Sequence, residues 1–526
     1  MGATNMKNTI SMTKLFLAPV AALLLTATAY AAAPGITGPT FNLTAQQAYI
    51  SQPDGAAVYS WGYGCSSAPS GYAPSTITGG FCNTMQVPGP TLIVTEGQTV
   101  TVNLQNGLPT SAGNTSILFP GFQVTTSGGV AGLLTQEAAP GGSVTYTFTA
   151  TTPGTRAYYS GTQGDLQVEM GLYGAIIVRP SAAPAACTGG LHAANLAAEA
   201  NWGESDFRLA AAAYDHARTC YDREYLFQFS EMDPNIHTQA LAQVTAKGAC
   251  VAGAVGCSLE VPTEPYHPAY FMINGRSMPD DMDPNYAAQY QHQPYNGDPH
   301  MHPGEVVLLR IIGQGRWQHP FHEHANHVRI LARDGNLILS ATDPNSLAGP
   351  LLFTTTTTPG MAMDGLFYYT AKGLNWDMYG HNPSSADPIA KLPCTPDANG
   401  YNTGAPTAIN FWEWCQDHNK PLQAAPFGDV AAGGPVSLPD ANILTNGAWY
   451  GGSPYLGPNA TVRATGPTGT TPPSGTIANS PSGEAGFAFM WHSHNEREIT
   501  TNNIFPGGML MMMLVDSREF VIDETN

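Results

Sequence analysis

The chain has 526 residues, of which 11% are charged and 43% hydrophobic, with 57 glycines and 43 prolines. That length allows two to four domains with sizeable cores, and the apolar content excludes a disordered chain in favour of a turn-rich, all-β one. The formal net charge of −19 leaves no basic footprint for nucleic acid as a partner; it suits a soluble exported protein or a cation binder without choosing between them.

The first predicted element is a targeting segment. Lys7 and Lys14 precede the apolar run LFLAPVAALLL, and Ala29-Tyr30-Ala31 offers a small-x-small cleavage site. Residues 1–31 are therefore expected to be a secretory signal peptide, which implies export to the periplasm, the cell surface or the medium. The run is too short to be a membrane anchor, and no later stretch reads as a transmembrane segment.

Residues 40–180 read as one β domain. PTLIVTEGQTVTVNLQN alternates on both sides of a Glu-Gly-Gln turn and predicts a hairpin. GGSVTYTFTATTPGT predicts a strand closed by a Pro-Gly turn, and GLYGAIIVRP a short buried strand. Residues 181–220 form a linker: PSAAPAACTGG is small and Pro/Ala-rich, and the Ala-rich stretch after it has helical character.

From residue 221 to 526 the β patterns return. DREYLFQFSEMD alternates, GEVVLLRII is β-branched, and HVRILARDGNLIL predicts two strands around an Asp-Gly turn. GLFYYT, GFAFMWHSH and GGMLMMMLV follow, the methionine run being read as core packing. The order of elements repeats that of the first region, which predicts an internal duplication. A Gly/Pro/Ser/Asn-rich stretch at about 374–485 is expected to be a long surface insertion.

The eight cysteines (Cys65, Cys82, Cys187, Cys220, Cys250, Cys257, Cys394 and Cys415) fall into four sequence-local pairs, the disulfide pairing expected for an exported chain. No C-x-x-C-H haem attachment occurs, no Gly-x-Ser-x-Gly elbow supports a serine hydrolase, and no phosphate loop or dinucleotide fingerprint stands out.

All fifteen histidines lie after residue 190. RWQHPFHEHANHVRILARDG holds His319, His322, His324 and His327; MWHSHNERE holds His492 and His494; DPHMHPGE holds His300 and His302. An H-x-H pair on a strand puts both imidazoles on one face, and two such strands side by side present four nitrogens to a metal. Imidazole suits Cu, Zn, Ni and Fe.

VPGPTLIVTEGQTVTVNLQNGLP, PGTRAYYSGTQGDLQVEMGLYGAIIV, HPFHEHANHVRILARDG and MWHSHNEREITTNNIFPGGML together resemble the motifs of the multicopper oxidase family. The resemblance implies tandem cupredoxin-like Greek-key β-sandwich domains, the first at 40–180 without histidine and the second at 221–526 with the long loop insertion. It implies copper as cofactor. The family holds three coppers with four H-x-H pairs, but Leu118 and Pro120 stand in place of the first pair here, and Tyr159 and Gly161 in place of the second. His322, His324, His492 and His494 remain, so fewer than four coppers are expected. At the mononuclear blue site, His319 and the axial Met509 match, whereas Ser493 replaces the cysteine and Glu498 stands near the second histidine. A serine supplies no thiolate, so laccase-type four-electron reduction of oxygen is not expected.

Two readings stay open. One is a copper-dependent oxidoreductase with a reduced copper site, acting on a small reductant and oxygen, with Glu323, Glu496 or Glu498 as ligand or proton carrier. His300, His302 and His327 are its weaker metal candidates, and a homo-oligomer that lends ligands across subunits is one arrangement the resemblance allows. The other is a catalytically inactive cupredoxin scaffold with a structural or binding role.

Overall fold

The computed structural model describes residues 33–73, 75, 82–248, 250–369, 395–398, 401–406, 411, 452–455, 486–516 and 521–522. The expected signal peptide lies outside these residues, as do most of the expected insertion and the expected Cys394–Cys415 pair.

The chain is all-β with few helices, built as two successive pairs of facing sheets. In the first pair, one sheet runs Gly154–Tyr159, Tyr173–Arg179, Leu92–Thr95, Gly35–Thr37, Tyr72–Ala73. The other runs Ala57–Cys65, Thr40–Ser51, Thr99–Asn106, Ser143–Thr149, Thr125–Gly128. Leu92 and Ile176 of one sheet meet Leu104, Tyr146 and Phe148 of the other in a single core cluster. Thr99–Asn106 shows why the pattern is legible: Val100, Val102 and Leu104 face inward, and the threonines and asparagine between them are less buried.

The predicted hairpin around Glu96-Gly97-Gln98 is not one. Leu92–Thr95 pairs in parallel with Gly35–Thr37 and Tyr173–Arg179, while Thr99–Asn106 belongs to the opposite sheet. Gly97, at φ +82°, turns the chain from one sheet across to the other. Local alternation cannot distinguish that corner from a hairpin, because both need a tight turn between two amphipathic strands.

In the second pair, Arg223–Met232 lies between Tyr270–Ile273 and Val306–Gly313, and the sheet continues through Ala362–Tyr368 and Val328–Arg333. The facing sheet runs His300–Met301, Leu510–Asp516, Gly486–Ser493, His319–Glu323, Thr354–Thr357. Phe227, Leu309 and Phe367 pack across the core on Phe321, Trp491 and Met513. The Asp-Gly turn appears as expected: Asp334 and Gly335 both have positive φ and connect Val328–Arg333 to Asn336–Leu337. Met511 and Met513 are fully buried, as expected of a core strand.

Two helices matter for placement. The Ala-rich stretch is helical only over Gly190–Asn201. Pro234–Ala246 is a helix that the β reading missed; its start is written in Asp233-Pro234, with the Asp233 side chain accepting from the Asn235 N–H and proline in the first turn. The two sheet pairs touch through Ile93, Ala157 and Ile177 against Leu226, Ile312 and Ala362. The Asp364 carboxylate also crosses between them, accepting from the Thr155 N–H and hydroxyl at 3.1 and 2.6 Å. Three of the four expected disulfides are present, Cys65–Cys82, Cys187–Cys220 and Cys250–Cys257.

Candidate metal centre

Strand register builds the site. His319–Glu323 pairs antiparallel with Gly486–Ser493, so that His322 lies opposite His492 and Phe321 opposite Ser493. Side chains alternate along each strand. One face therefore carries His319, Phe321, Glu323, Trp491 and Ser493 toward the core, and the other carries His322 and His492. His324 and His494 follow one residue beyond the strand ends.

On that second face His322, His324 and His492 each bring a nitrogen to within 4.8 Å of the others. The Nε2 atoms of His324 and His492 are 3.2 Å apart, close to the roughly 3.3 Å expected of two imidazoles about 2.0–2.1 Å from one tetrahedral ion. His492 Nδ1 donates to the Ser493 carbonyl at 2.7 Å, which leaves Nε2 as its ligand atom. His322 Nδ1 is 2.7 Å from the Thr354 hydroxyl, which holds the ring in place. Such outer hydrogen bonds fix tautomer and ring orientation. Burial and the neighbouring imidazoles push the His322 pKa down to about 4, and burial also lowers that of His492. Both rings are thus neutral near pH 7, the form a metal requires. His494 stands at the rim: its ring centroid is 4.9 Å from that of His322, but its side chain is 54% exposed.

The core face is different. His319 is fully buried, with Nε2 2.9 Å from Glu231 and Nδ1 2.9 Å from Glu498. Burial alone lowers a histidine pKa, but the two carboxylates outweigh it and raise His319 to about 9. Ser493 donates its hydroxyl to the same Glu498 oxygen. Met509 is buried beside them and brackets the loop with its backbone, donating to the Glu498 carbonyl and accepting from the Ser493 N–H. These residues do not fit a copper ion: both nitrogens of the one imidazole are engaged by carboxylates, and a hydroxyl stands where a thiolate is needed.

The remaining candidates are dispersed. Glu323 is fully buried on the core face, its pKa raised well above the usual range by burial; Oε1 accepts from Thr355, and Oε2 has no hydrogen-bond partner among the described residues. Glu496 is exposed, 3.9 Å from His494. His327 packs edge-on against Phe353. The strand His300–Met301 pairs with the far end of Leu510–Asp516: His300 is opposite Leu514, whereas His492 is opposite Leu510. Four residues of strand, about 13 Å at roughly 3.3 Å per residue, separate the two positions. His300 is held by Asp516 at 2.5 Å and Asp298 at 3.3 Å, and His302 by Glu204 at 2.6 Å. These are buried ion pairs remote from the trio.

In the first sheet pair Leu118 and Tyr159 form a β-bridge, and the Leu118 side chain covers Gly161. The segments expected to carry the first two H-x-H pairs are thus adjacent, joined by backbone hydrogen bonds between Leu118 and Tyr159 and by the Leu118 side chain over Gly161. Sequence reasoning missed Glu231 and Thr354. Glu231 left a signal, a lone carboxylate in the apolar strand YLFQFSEM; Thr354, in a run of threonines, left none.

Residues 75–183 match the family model for multicopper oxidase. Over 98 residues the chain is 39% identical to the multicopper oxidase MCE of Talaromyces pinophilus, covering 18% of this chain and 15% of that protein. It is 37% identical to the laccase abr2 of Aspergillus fumigatus over 98 residues, again 18% of this chain and 16% of the relative. The chain thus spans about a sixth of the length of the curated relatives it matches. Among solved structures, the multicopper oxidase mgLAC aligns with 16% identity and a TM-score of 0.42 over 90% of this chain and 85% of that one. The blue copper oxidase of Nitrosomonas europaea aligns with 15% identity and a TM-score of 0.42 over the same shares.

Proposed function

We propose that the chain, whose residues 75–183 match the multicopper oxidase family model, is a copper-binding protein of multicopper oxidase type whose metal sits on its second half. Residues 40–180 then form a first cupredoxin-like domain without ligands, and residues 221–526 a second that carries them. The observation that supports this is the three imidazoles of His322, His324 and His492 with ligand nitrogens within 4.8 Å. Copper held there would supply one-electron chemistry. His322, His324 and His492 would be its ligands, with His494 closing the rim. Thr354 and the Ser493 carbonyl would orient the rings.

The first half adds no imidazole at Leu118, Pro120, Tyr159 or Gly161, and the core-face cluster adds no thiolate. The ligand count supports a single copper site without an electron relay. Outside the cytoplasm such a site would act as a copper-dependent oxidoreductase on a small reductant and oxygen. A second reading, a copper-holding scaffold without turnover, is favoured by the apolar contact of Leu118 with Gly161, which fills the place a second set of ligands would need.

Metal analysis of the purified protein beside a His324→Ala/His492→Ala variant tests the proposal. Copper in the wild type that is lost in the variant supports it; no copper after reconstitution overturns it. Oxygen consumption by the copper-loaded protein then separates the two readings.

A further inference from the structure

The core face of the strand His319–Glu323 shows a built site that the copper reading leaves unused. Glu231 reaches it from the facing sheet. Glu231 Oε1 accepts from the backbone N–H groups of Arg316 at 2.7 Å and Trp317 at 2.9 Å, and Oε2 meets His319 at 2.9 Å. On the other side of the ring, Glu498 meets Nδ1 through Oε2, while its Oε1 accepts from Asn495 Nδ2 at 2.9 Å. The cluster reaches the first half as well. Tyr266 donates to Glu169 at 2.8 Å and lies 3.3 Å from Glu231, and Glu169 accepts from the Asp233 N–H at 2.6 Å. Each carboxylate that touches the imidazole is also held by another group, Glu231 through Oε1 by the Arg316 and Trp317 N–H groups and Glu498 by Ser493 and Asn495, so the arrangement is rigid.

We propose that the place of the family's mononuclear copper is here a metal-free clamp, in which Glu231 and Glu498 grip both nitrogens of His319 and, through Glu498 and Ser493, position the loop that carries His492 and His494. His319, Glu231, Glu498 and Ser493 are then positioning residues and not ligands. The inference rests on the proposed metal site at His322, His324 and His492.

Three features support it. Ionised carboxylates only accept hydrogen bonds, so a ring between two of them carries a proton on each nitrogen and has no lone pair for a metal. The raised His319 pKa agrees with that state. Ser493 lies between His492 and His494 in sequence, and its hydroxyl is tied to Glu498; turning Glu498 away would release the loop at the residue between the two imidazoles.

Anomalous diffraction at the copper edge, from crystals of the full chain grown with excess copper(II), tests the first half of the claim. Density among His322, His324 and His492, with none between His319 and Ser493, is expected. Density at His319 overturns the clamp. Metal at neither place overturns the proposed function; the clamp is then read by nitrogen NMR of the histidine rings, where two N–H signals from His319 support it and one overturns it. The positioning half is tested by His319→Gln and Glu231→Gln, read by copper(II) affinity and the electron paramagnetic resonance of the bound ion. A roughly 10–100-fold loss of affinity with altered hyperfine splitting is expected, as for other residues that orient metal ligands. Unchanged affinity and spectrum in a folded variant overturn it. Ser493→Ala, which keeps both carboxylates and the imidazole, guards against misfolding of the charged-residue variants. It is expected to alter the spectrum, and an unaltered spectrum counts against positioning.

Discussion

Two faces of one short strand carry opposite chemistry. On the outer face of His319–Glu323, His322 has a hydroxyl and other imidazoles for neighbours, and its pKa falls to about 4. On the core face, His319 has a carboxylate at each nitrogen, and its pKa rises to about 9. Both rings are buried, so burial is not what separates them. Partner charge decides: one environment makes a metal ligand, the other a fixed cation. A histidine motif therefore predicts a metal site only when its neighbours are read with it.

The largest effect is expected from breaking the outer face. His324→Ala/His492→Ala removes two of three ligands and should weaken copper binding beyond the roughly 100-fold upper range seen for supporting residues. Equilibrium dialysis checks this, and retention of affinity would mean that the copper sits elsewhere.

Next comes the charge balance of the core face. Glu231→Ala leaves His319 facing a single carboxylate, and removing one partner of a buried pair costs about 3–5 kcal/mol. Urea denaturation of the metal-free protein should show it as a lower midpoint, with no comparable loss for Glu496→Ala at the exposed rim.

The two pKa shifts give opposite pH dependences. His319 is raised from about 6.5 to about 9, so its stabilisation, about 3 kcal/mol in all, is complete below pH 6.5 and is lost as pH rises through 9. His322 is lowered from 6.5 to about 4. Between those values the unfolded chain binds a proton that the folded one does not, so stability falls as pH drops through that window. Denaturant midpoints from pH 4 to 10 should peak near 6.5 for these two groups. Under His319→Gln the alkaline fall should shrink and the acidic one persist.

Met509→Leu is expected to do least. Met509 meets the loop through its backbone, and a volume-conserving core change usually costs under about 1.5 kcal/mol. Copper affinity should stay at the wild-type value; a changed copper spectrum would make Met509 a ligand after all.

Much of this was legible in the sequence, and for stated reasons. Period-two alternation marked Thr99–Asn106 and Ser143–Thr149, because each has one face in a core and one less buried. The H-x-H spacing placed His322 and His492 on one face once their strands paired. What was not legible depended on contacts far apart in the chain. The lone carboxylate in YLFQFSEM marks Glu231 as unusual, but no local pattern says that it reaches His319, 88 residues away. The turn at Gly97 read as a hairpin because a corner between sheets has the same local signature. His300 and His302 carry the same H-x-H signature as the trio, but Asp516, far along the chain, and Glu204 hold them in ion pairs instead.

The most direct test of the account is copper-edge X-ray absorption of the protein loaded with copper. The prediction is one copper per chain, bound by imidazole nitrogen at about 2.0 Å with no sulfur in its shell. A short copper–sulfur distance, or a second copper bound with similar affinity, would contradict it.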